Sequence, residues 1–143
     1  MQWRQLSANE YLLVFTEPDV ELIAGLTDFA TQMNIASGRL QAIGSVSAAT
    51  LAWWNAETKV VDQYPVAGQF ELVSFLGNIT SQANGPRIHA HAVLVTGPGG
   101  VLAGHAMSLT VRASVEVNLT VFDTPVSRVK NADFGLWIID LSS

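Results

Sequence analysis

Alternating apolar and polar residues run through most of the chain and predict a protein made mainly of β-strands. The clearest example is residues 108–122, "SLTVRASVEVNLTVF", in which every second side chain is apolar. Because successive side chains of a strand point to opposite sides, this pattern gives one apolar and one polar face. The predicted core face consists of Leu109, Val111, Ala113, Val115, Val117, Leu119 and Val121. The segment therefore predicts a long antiparallel strand with one polar face.

Further strands are predicted on both sides of this segment. Residues 38–54 and 59–66 form a predicted pair joined around 55–58, and residues 68–80 form another strand that Gly68 opens. Residues 134–141 are the last predicted strand. Clusters of turn-forming residues predict loops at 80–86 and 123–133.

One segment, residues 15–34, has the three- and four-residue spacing of a helix. Thr16 is the predicted N-cap, Pro18 suits the first turn, and nearby acidic side chains favour the helix dipole. The apolar face consists of Leu22, Ile23, Leu26, Phe29, Ala30 and Met33. We therefore expect an α+β fold, mainly antiparallel β-sheet packed with one principal α-helix, as a single domain over residues 1–143.

Composition changes this picture in one respect. Hydrophobic residues make up 49% of the chain and charged residues only 13%, about half the usual charged share, so we expect an oligomer with an apolar interface. The net charge is −5 and the basic residues are scattered, which argues against a phosphate-binding surface on one subunit but leaves open one assembled across subunits. No leader pattern or apolar run of membrane-spanning length is present, so a soluble cytoplasmic protein is expected.

All three histidines lie within residues 87–107, "RIHAHAVLVTGPGGVLAGHAM". Alternation places His89 and His91 on one face of a strand, and "TGPGG" predicts a turn that returns His105 opposite His91 or Val93. In an even register the three imidazoles can meet around a divalent ion, zinc being the best match and nickel, copper or iron possible. An odd register would place His105 on the other face, and histidines can also be polar core residues or carboxylate partners.

Other polar residues could belong to the same site. Glu71 and Glu116 are candidates for a supporting or proton-carrying role, although periodicity favours a solvated strand face or an ion pair with an arginine such as Arg112 for each. Asn78 follows Gly77 and is interpreted as turn chemistry. Gly104 would allow backbone or ligand to approach His105 closely. No phosphate-binding loop, serine elbow or cysteine nucleophile is present.

The order of "LQAIGSVSAATL", "GQFELVSFLGNI", "HAHAVL", "GGVLAGH" and "SVEVNLTVFD" resembles the PPC domain, the plants and prokaryotes conserved domain or domain of unknown function 296, of the stand-alone prokaryotic type. The resemblance is strongest over residues 12–141. It implies a homotrimer and a zinc site formed by His89, His91 and His105. It also implies an association with DNA or DNA-associated proteins, and a partner-contact segment formed by Gly68, Gln69, Phe70, Glu71, Leu72 and Val73.

The chain departs from the plant pattern at two points that bear on function. It lacks the Arg-Gly-Arg-Pro segment that enters the minor groove, and Gln69 stands where the family commonly has arginine. The sequence therefore favours a trimeric metal-binding protein with a regulatory or DNA-associated role. The alternative is a small enzyme that uses a water bound to the three-histidine metal with a nearby glutamate.

Overall fold

The computed structural model describes residues 1–142 and contains one helix and eight strands. The strands are β1 (Gln2–Ser7), β2 (Glu10–Phe15), β3 (Gly38–Asn55), β4 (Val60–Gln82), β5 (Gly85–Val95), β6 (Val101–Val121), β7 (Ser127–Lys130) and β8 (Trp137–Asp140), and helix α1 spans Leu22–Gln32. All strands belong to one sheet, in the order β1-β2-β6-β3-β4-β7-β8, with β5 between β4 and β6. Only the pairing of β4 with β7 is parallel, so the predicted antiparallel α+β fold is confirmed.

Strands β3, β4, β5 and β6 form a closed circuit, since β3 pairs with β4, β4 with β5, β5 with β6, and β6 with β3. The β5–β6 pairing is short and joins only residues 91–95 to residues 101–105. Beyond it the two strands diverge, and α1 packs against both. The helix therefore covers the opening in the circuit, and its buried side chains Leu22, Leu26 and Phe29 meet the core there.

The predicted long strand is confirmed as the second part of β6, and its apolar face forms much of the core. Leu109, Val111, Val115 and Val117 are fully buried. Ala113 departs from the prediction and is exposed, because the register between β3 and β6 shifts there and breaks the alternation.

The predicted start of the helix is wrong. Helix α1 begins at Leu22, and its N-cap is Glu21, not Thr16. The Glu21 carboxylate accepts hydrogen bonds from the backbone N–H of Ile23 and Ala24 at 3.1 and 2.6 Å, and from that of Leu109 in β6 at 2.9 Å. Glu21 thus fixes the helix to the strand that carries His105, an arrangement that the sequence spacing alone does not show.

Both predicted loops are corrected as well. Strand β4 runs without a break from Val60 to Gln82, so Gly68 lies inside it, and the predicted loop at 80–86 is a short turn between β4 and β5. The predicted loop at 123–133 contains β7, which pairs with β8 and contacts β4 at Ser81. Within the described residues no helix combines the length and the apolar character needed to cross a lipid bilayer.

Candidate metal centre

The three histidines occupy neighbouring positions on β5 and β6. Ile88, Ala90, Ala92 and Leu94 of β5 pack toward the core, which leaves His89 and His91 on the opposite face. The turn after β5 is closed by a hydrogen bond from Thr96 N–H to the Gly100 carbonyl at 3.0 Å. It returns the chain in the even register, with His91 directly opposite His105. The register that the sequence left open is therefore the one that brings all three rings together.

The geometry of the three rings suits a divalent transition metal. One imidazole nitrogen from each of His89, His91 and His105 lies within 4.8 Å of the others. Three nitrogens bound to one tetrahedral zinc ion are about 3.4 Å apart, given metal–nitrogen bonds of about 2.1 Å. Binding would therefore require the nitrogens to approach one another by at most about 1.4 Å. His91 is exposed and the other two rings are half-buried, so a bound ion would remain accessible from one side.

Arg128 of β7 reaches into this cluster and is the feature that the sequence analysis missed. Its Nε donates to the Thr80 hydroxyl at 3.1 Å and its Nη1 to the Trp137 carbonyl at 2.8 Å. Its Nη2 donates to Asn78 Oδ1 at 2.9 Å and lies 3.0 Å from His89 Nδ1, which must accept because an arginine has no acceptor. These contacts fix the guanidinium beside His89.

The surroundings keep His89 and His105 neutral. Burial, followed by repulsion from Arg128 and from the other rings, lowers the pKa of His89 from 6.5 to about 4. Burial and the charge field of His91 and Arg87 lower the pKa of His105. Burial and the nearby Arg87 also lower the pKa of Arg128. Neutral imidazoles have the lone pairs that a metal needs, so neither half-buried ring has to lose a bound proton to solvent before it binds at neutral pH.

Neither candidate glutamate joins the cluster. Glu71 pairs with Val95, four positions along β5 from His91, or about 13 Å at the usual rise of a strand. Glu116 lies eleven residues beyond His105 on β6, opposite Val14 and Ile43. Both side chains are exposed.

Asn78 and Gly104 also have defined positions. Asn78 lies within β4 opposite His89 and binds Arg128, so its interpretation as turn chemistry is wrong. Gly104 allows the predicted close approach of backbone, because a Cβ there would lie 2.9 Å from the Ala52 carbonyl oxygen; it would also lie 2.5 Å from the Tyr64 hydroxyl.

The family resemblance associates residues 68–73 with partner contact. This segment lies within β4, and its side chains point alternately to the two faces of the strand. Phe70 and Leu72 are buried in the core, whereas Gln69, Glu71 and Val73 are exposed. Gly68 is exposed as well, so these four residues are available to another molecule.

A cavity of about 290 Å³ adjoins the histidine cluster at the turn between β4 and β5. Its lining includes His105, Arg87, Gln82 and Asn84, together with Ile23 and Thr27 of the helix. The buried Nε2 of Gln82 has no hydrogen-bond partner in the described part of the protein. The cavity therefore combines a candidate metal ligand with polar groups that can donate hydrogen bonds.

Comparison with known proteins gives consistent structural relatives. A presumed DNA-binding protein of Bacteroides thetaiotaomicron has 27% identity and a TM-score of 0.94, covering 99% of this chain and 98% of that chain. A metal-containing protein of Archaeoglobus fulgidus has 22% identity and a TM-score of 0.85 over 96% of this chain and 97% of that chain. A plant- and prokaryote-conserved protein of Pyrococcus horikoshii has 24% identity and a TM-score of 0.84 over 95% and 94%. A search of curated protein sequences finds no match.

A sequence model of a known family settles the relationship at the level of the domain. The model of the Plants and Prokaryotes Conserved (PCC) domain matches residues 7–123, which include the helix, the histidine hairpin and most of the sheet. This is the family that the order of sequence motifs indicated under the abbreviation PPC. The chain therefore belongs to the Plants and Prokaryotes Conserved domain family.

Proposed function

We propose that this chain is a metal-binding module in which His89, His91 and His105 hold one divalent transition metal, with zinc as the first choice. The observation that carries the proposal is that their three ligand nitrogens lie within 4.8 Å of one another. The chemistry of the donor set agrees, because three neutral imidazoles suit zinc and leave a fourth position for water or an anion. The likeness to a metal-containing archaeal protein supports the same assignment.

Metal analysis of the purified protein tests this proposal. Protein produced with added zinc and dialysed should retain about one metal per chain, and His89→Ala, His91→Ala and His105→Ala should each lose it. Gln41→Ala is a matched control, because Gln41 is exposed and pairs with Leu76, the β4 neighbour of His91. Retention of metal by all three histidine variants, or its absence from the zinc-grown protein, would contradict the proposal.

We further propose that the module is a homotrimer. The chain exposes 8204 Å², whereas a monomeric protein of 15.3 kDa is expected to expose about 7100 Å². Ile43, Val73 and Leu76 on neighbouring strands are each more than half exposed, which supports an interface on this part of the sheet. A mass of three chains by light scattering is the expected result. Leu76→Asp should lower that mass, and a monomeric wild type would exclude an oligomer of any size.

A regulatory or DNA-associated role is the second candidate. It is supported by the family and by the likeness to a presumed DNA-binding protein with 27% identity. The exposed side of the segment around Gln69, Glu71 and Val73 is the candidate surface for a protein partner. Fluorescence anisotropy with labelled duplex DNA at low ionic strength tests direct binding, which should weaken steeply as salt is added. Absence of binding would leave a protein-mediated role, to be tested at the Gln69 surface.

An enzyme is the less favoured alternative. A metal-bound water needs a proton carrier within hydrogen-bond reach, and Glu71 and Glu116 lie elsewhere on the sheet. The geometry around the histidines therefore favours a binding site over a hydrolytic one.

A further inference from the structure

Arg128 is a fixed cation that has no acidic counterpart among residues 1–142. Its four hydrogen bonds go to hydroxyl, carbonyl, amide and imidazole groups. The single ion pair found in residues 1–142 joins the N-terminal amine to Glu17. Both groups are far from Arg128 in the sequence. Arg87 adds a second positive charge nearby. Partly buried charges normally have a counter-charge, so its absence points to a ligand that supplies one.

The hydrogen bond between Arg128 and His89 cannot persist when His89 binds a metal. Nδ1 of His89 accepts from Arg128, so the neutral ring carries its proton on Nε2. A metal-bound imidazole gives one lone pair to the metal and keeps a proton on the other nitrogen. If His89 binds through Nδ1, the metal takes the place of the arginine donor. If it binds through Nε2, the proton moves to Nδ1 and no acceptor is left for Arg128.

Either route frees the same donor beside the metal. Nη2 of Arg128 regains the N–H that it gave to His89, and Nη1 has a second N–H with no partner within the described chain. One free N–H on each terminal nitrogen is the number needed to hold two oxygens of a carboxylate or phosphate group. The metal adds two positive charges to a site that already holds two arginines.

The adjoining cavity offers space for the rest of such a ligand. Asn78, Thr80 and Gln82 are alternate residues of β4, so their side chains share one face of the strand. Arg128 binds the first two, and Gln82 therefore lies on the same face as Arg128. Gln82, whose buried Nε2 has no hydrogen-bond partner in the described part of the protein, lines the cavity together with Arg87. A volume of about 290 Å³ suits a molecule of few heavy atoms, not a polymer.

We propose that the histidine site binds a small oxyanion, a carboxylate or phosphate group, between the open position of the metal and the guanidinium of Arg128. This inference rests on the proposed metal site. Binding of the metal and of the anion should be coupled, because the metal frees the arginine donor and the anion neutralises the charge of both.

Cobalt-loaded protein provides the test, because the visible spectrum of Co²⁺ reports its coordination independently of any activity. Acetate, inorganic phosphate and chloride are titrated separately into the loaded wild type. Acetate or phosphate should change the spectrum with saturation and tighten Co²⁺ binding in calorimetry. A response to acetate identifies the carboxylate and a response to phosphate the phosphate as the preferred group. A spectrum that responds to none of them, or to chloride equally well, would overturn the inference.

Variants of Arg128 separate this role from a structural one. Arg128→Gln should bind Co²⁺ at least as tightly as the wild type without anion, since a competing donor and a positive charge are gone. Its oxyanion affinity should fall by at least about tenfold. Arg128→Lys keeps the charge without the planar guanidinium, so its oxyanion affinity should lie between those of the wild type and Arg128→Gln. It also provides a second variant if Arg128→Gln folds poorly. Arg39→Gln, an equal change of charge at a side chain bonded to Thr120, should leave oxyanion affinity unchanged.

The outcomes also distinguish this inference from the proposed function. If Co²⁺ binds in the wild type and not in the histidine variants, but oxyanion affinity is the same in Arg128→Gln, the metal site stands and the anion site is refuted. If Co²⁺ does not bind at the histidines, the metal site itself fails and the anion site with it.

Discussion

The metal-free protein should lose stability as the pH falls from about 6.5 toward 4, and His89 should contribute measurably to that loss. The pKa of His89 is about 4 in the folded chain and close to 6.5 when the ring is exposed. Between these values the unfolded state binds the proton and the folded state does not, so acid favours unfolding. The contribution is fully present above about pH 6.5 and is lost as the pH falls. Protonation of His105, whose pKa is also lowered, acts in the same direction.

The size of the effect follows from the two pKa values of His89. At pH 4.5 the difference in proton binding is worth about 2.6 kcal/mol if the shift is taken in full. The ring is only half-buried and water screens it, so about 1–2 kcal/mol is expected. The free energy of unfolding of a typical domain is about 5–15 kcal/mol, so this loss is a large part of it.

Urea unfolding of metal-free wild type and His89→Gln at pH 7.5 and 4.5 measures the effect. Glutamine does not titrate and can still accept the Arg128 donor, so the two proteins should be closely matched at pH 7.5. At pH 4.5 the variant should be more stable by about 1–2 kcal/mol. Carboxylates titrate equally in both proteins and cancel in the comparison. Equal losses of stability in the two proteins would refute the assignment of a lowered His89 pKa.

Four further results are expected. Glu21→Ala should cost about 2–4 kcal/mol in urea unfolding, because three backbone donors lose their acceptor, and Glu21→Gln should cost less. Gly44→Ala should lower the free energy of unfolding by about 2–4 kcal/mol, because φ is +153° and a Cβ would clash with the backbone of β6. Gly85→Ala is the control: φ is positive but the surrounding space is open, so the loss should be about 1 kcal/mol. Gly104→Ala should weaken zinc affinity in calorimetry, since it displaces backbone beside the ligand His105. Zinc at about 100 times its Kd should stabilise the wild type by about 2.7 kcal/mol in thermal unfolding, and His91→Ala should remove this effect.

Local alternation predicted most of the strands and placed two of the three histidines on one face. A strand has a side-chain period of two, so His89 and His91 share a face in any fold that keeps β5 extended. The glycine turn then limits the partners of His91 to a few residues, and the structure selects His105. Strand ends were less predictable, because the pairing of β4 with β5 extends both strands through residues rich in turn signals.

Arg128 could not be predicted as part of the site from sequence alone. It lies 39 residues from His89 along the chain, in a segment whose serine and asparagine residues indicate a loop. It reaches the cluster because β7 adds to the edge of β4 at a single parallel contact, Ser81 with Ser127. Such long-range placement depends on the packing of the whole sheet. The break in alternation at Ala113 was unpredictable for the same reason. A bulge can be recognised only when the pairing with the neighbouring strand, here β3, is known.

The charge distribution bears on which kind of anion this protein recognises. The net charge of the chain is −5, so a DNA duplex approaching the surface meets overall repulsion in low salt. A small oxyanion meets mainly the local field, because Arg87 lines the cavity and the cavity adjoins the histidine cluster that Arg128 contacts. Partial burial of Arg128 strengthens its attraction for a ligand that replaces the lost water. Arg87 and Arg128 are too few to hold a polyanion. They are well matched to a single carboxylate or phosphate group beside a metal.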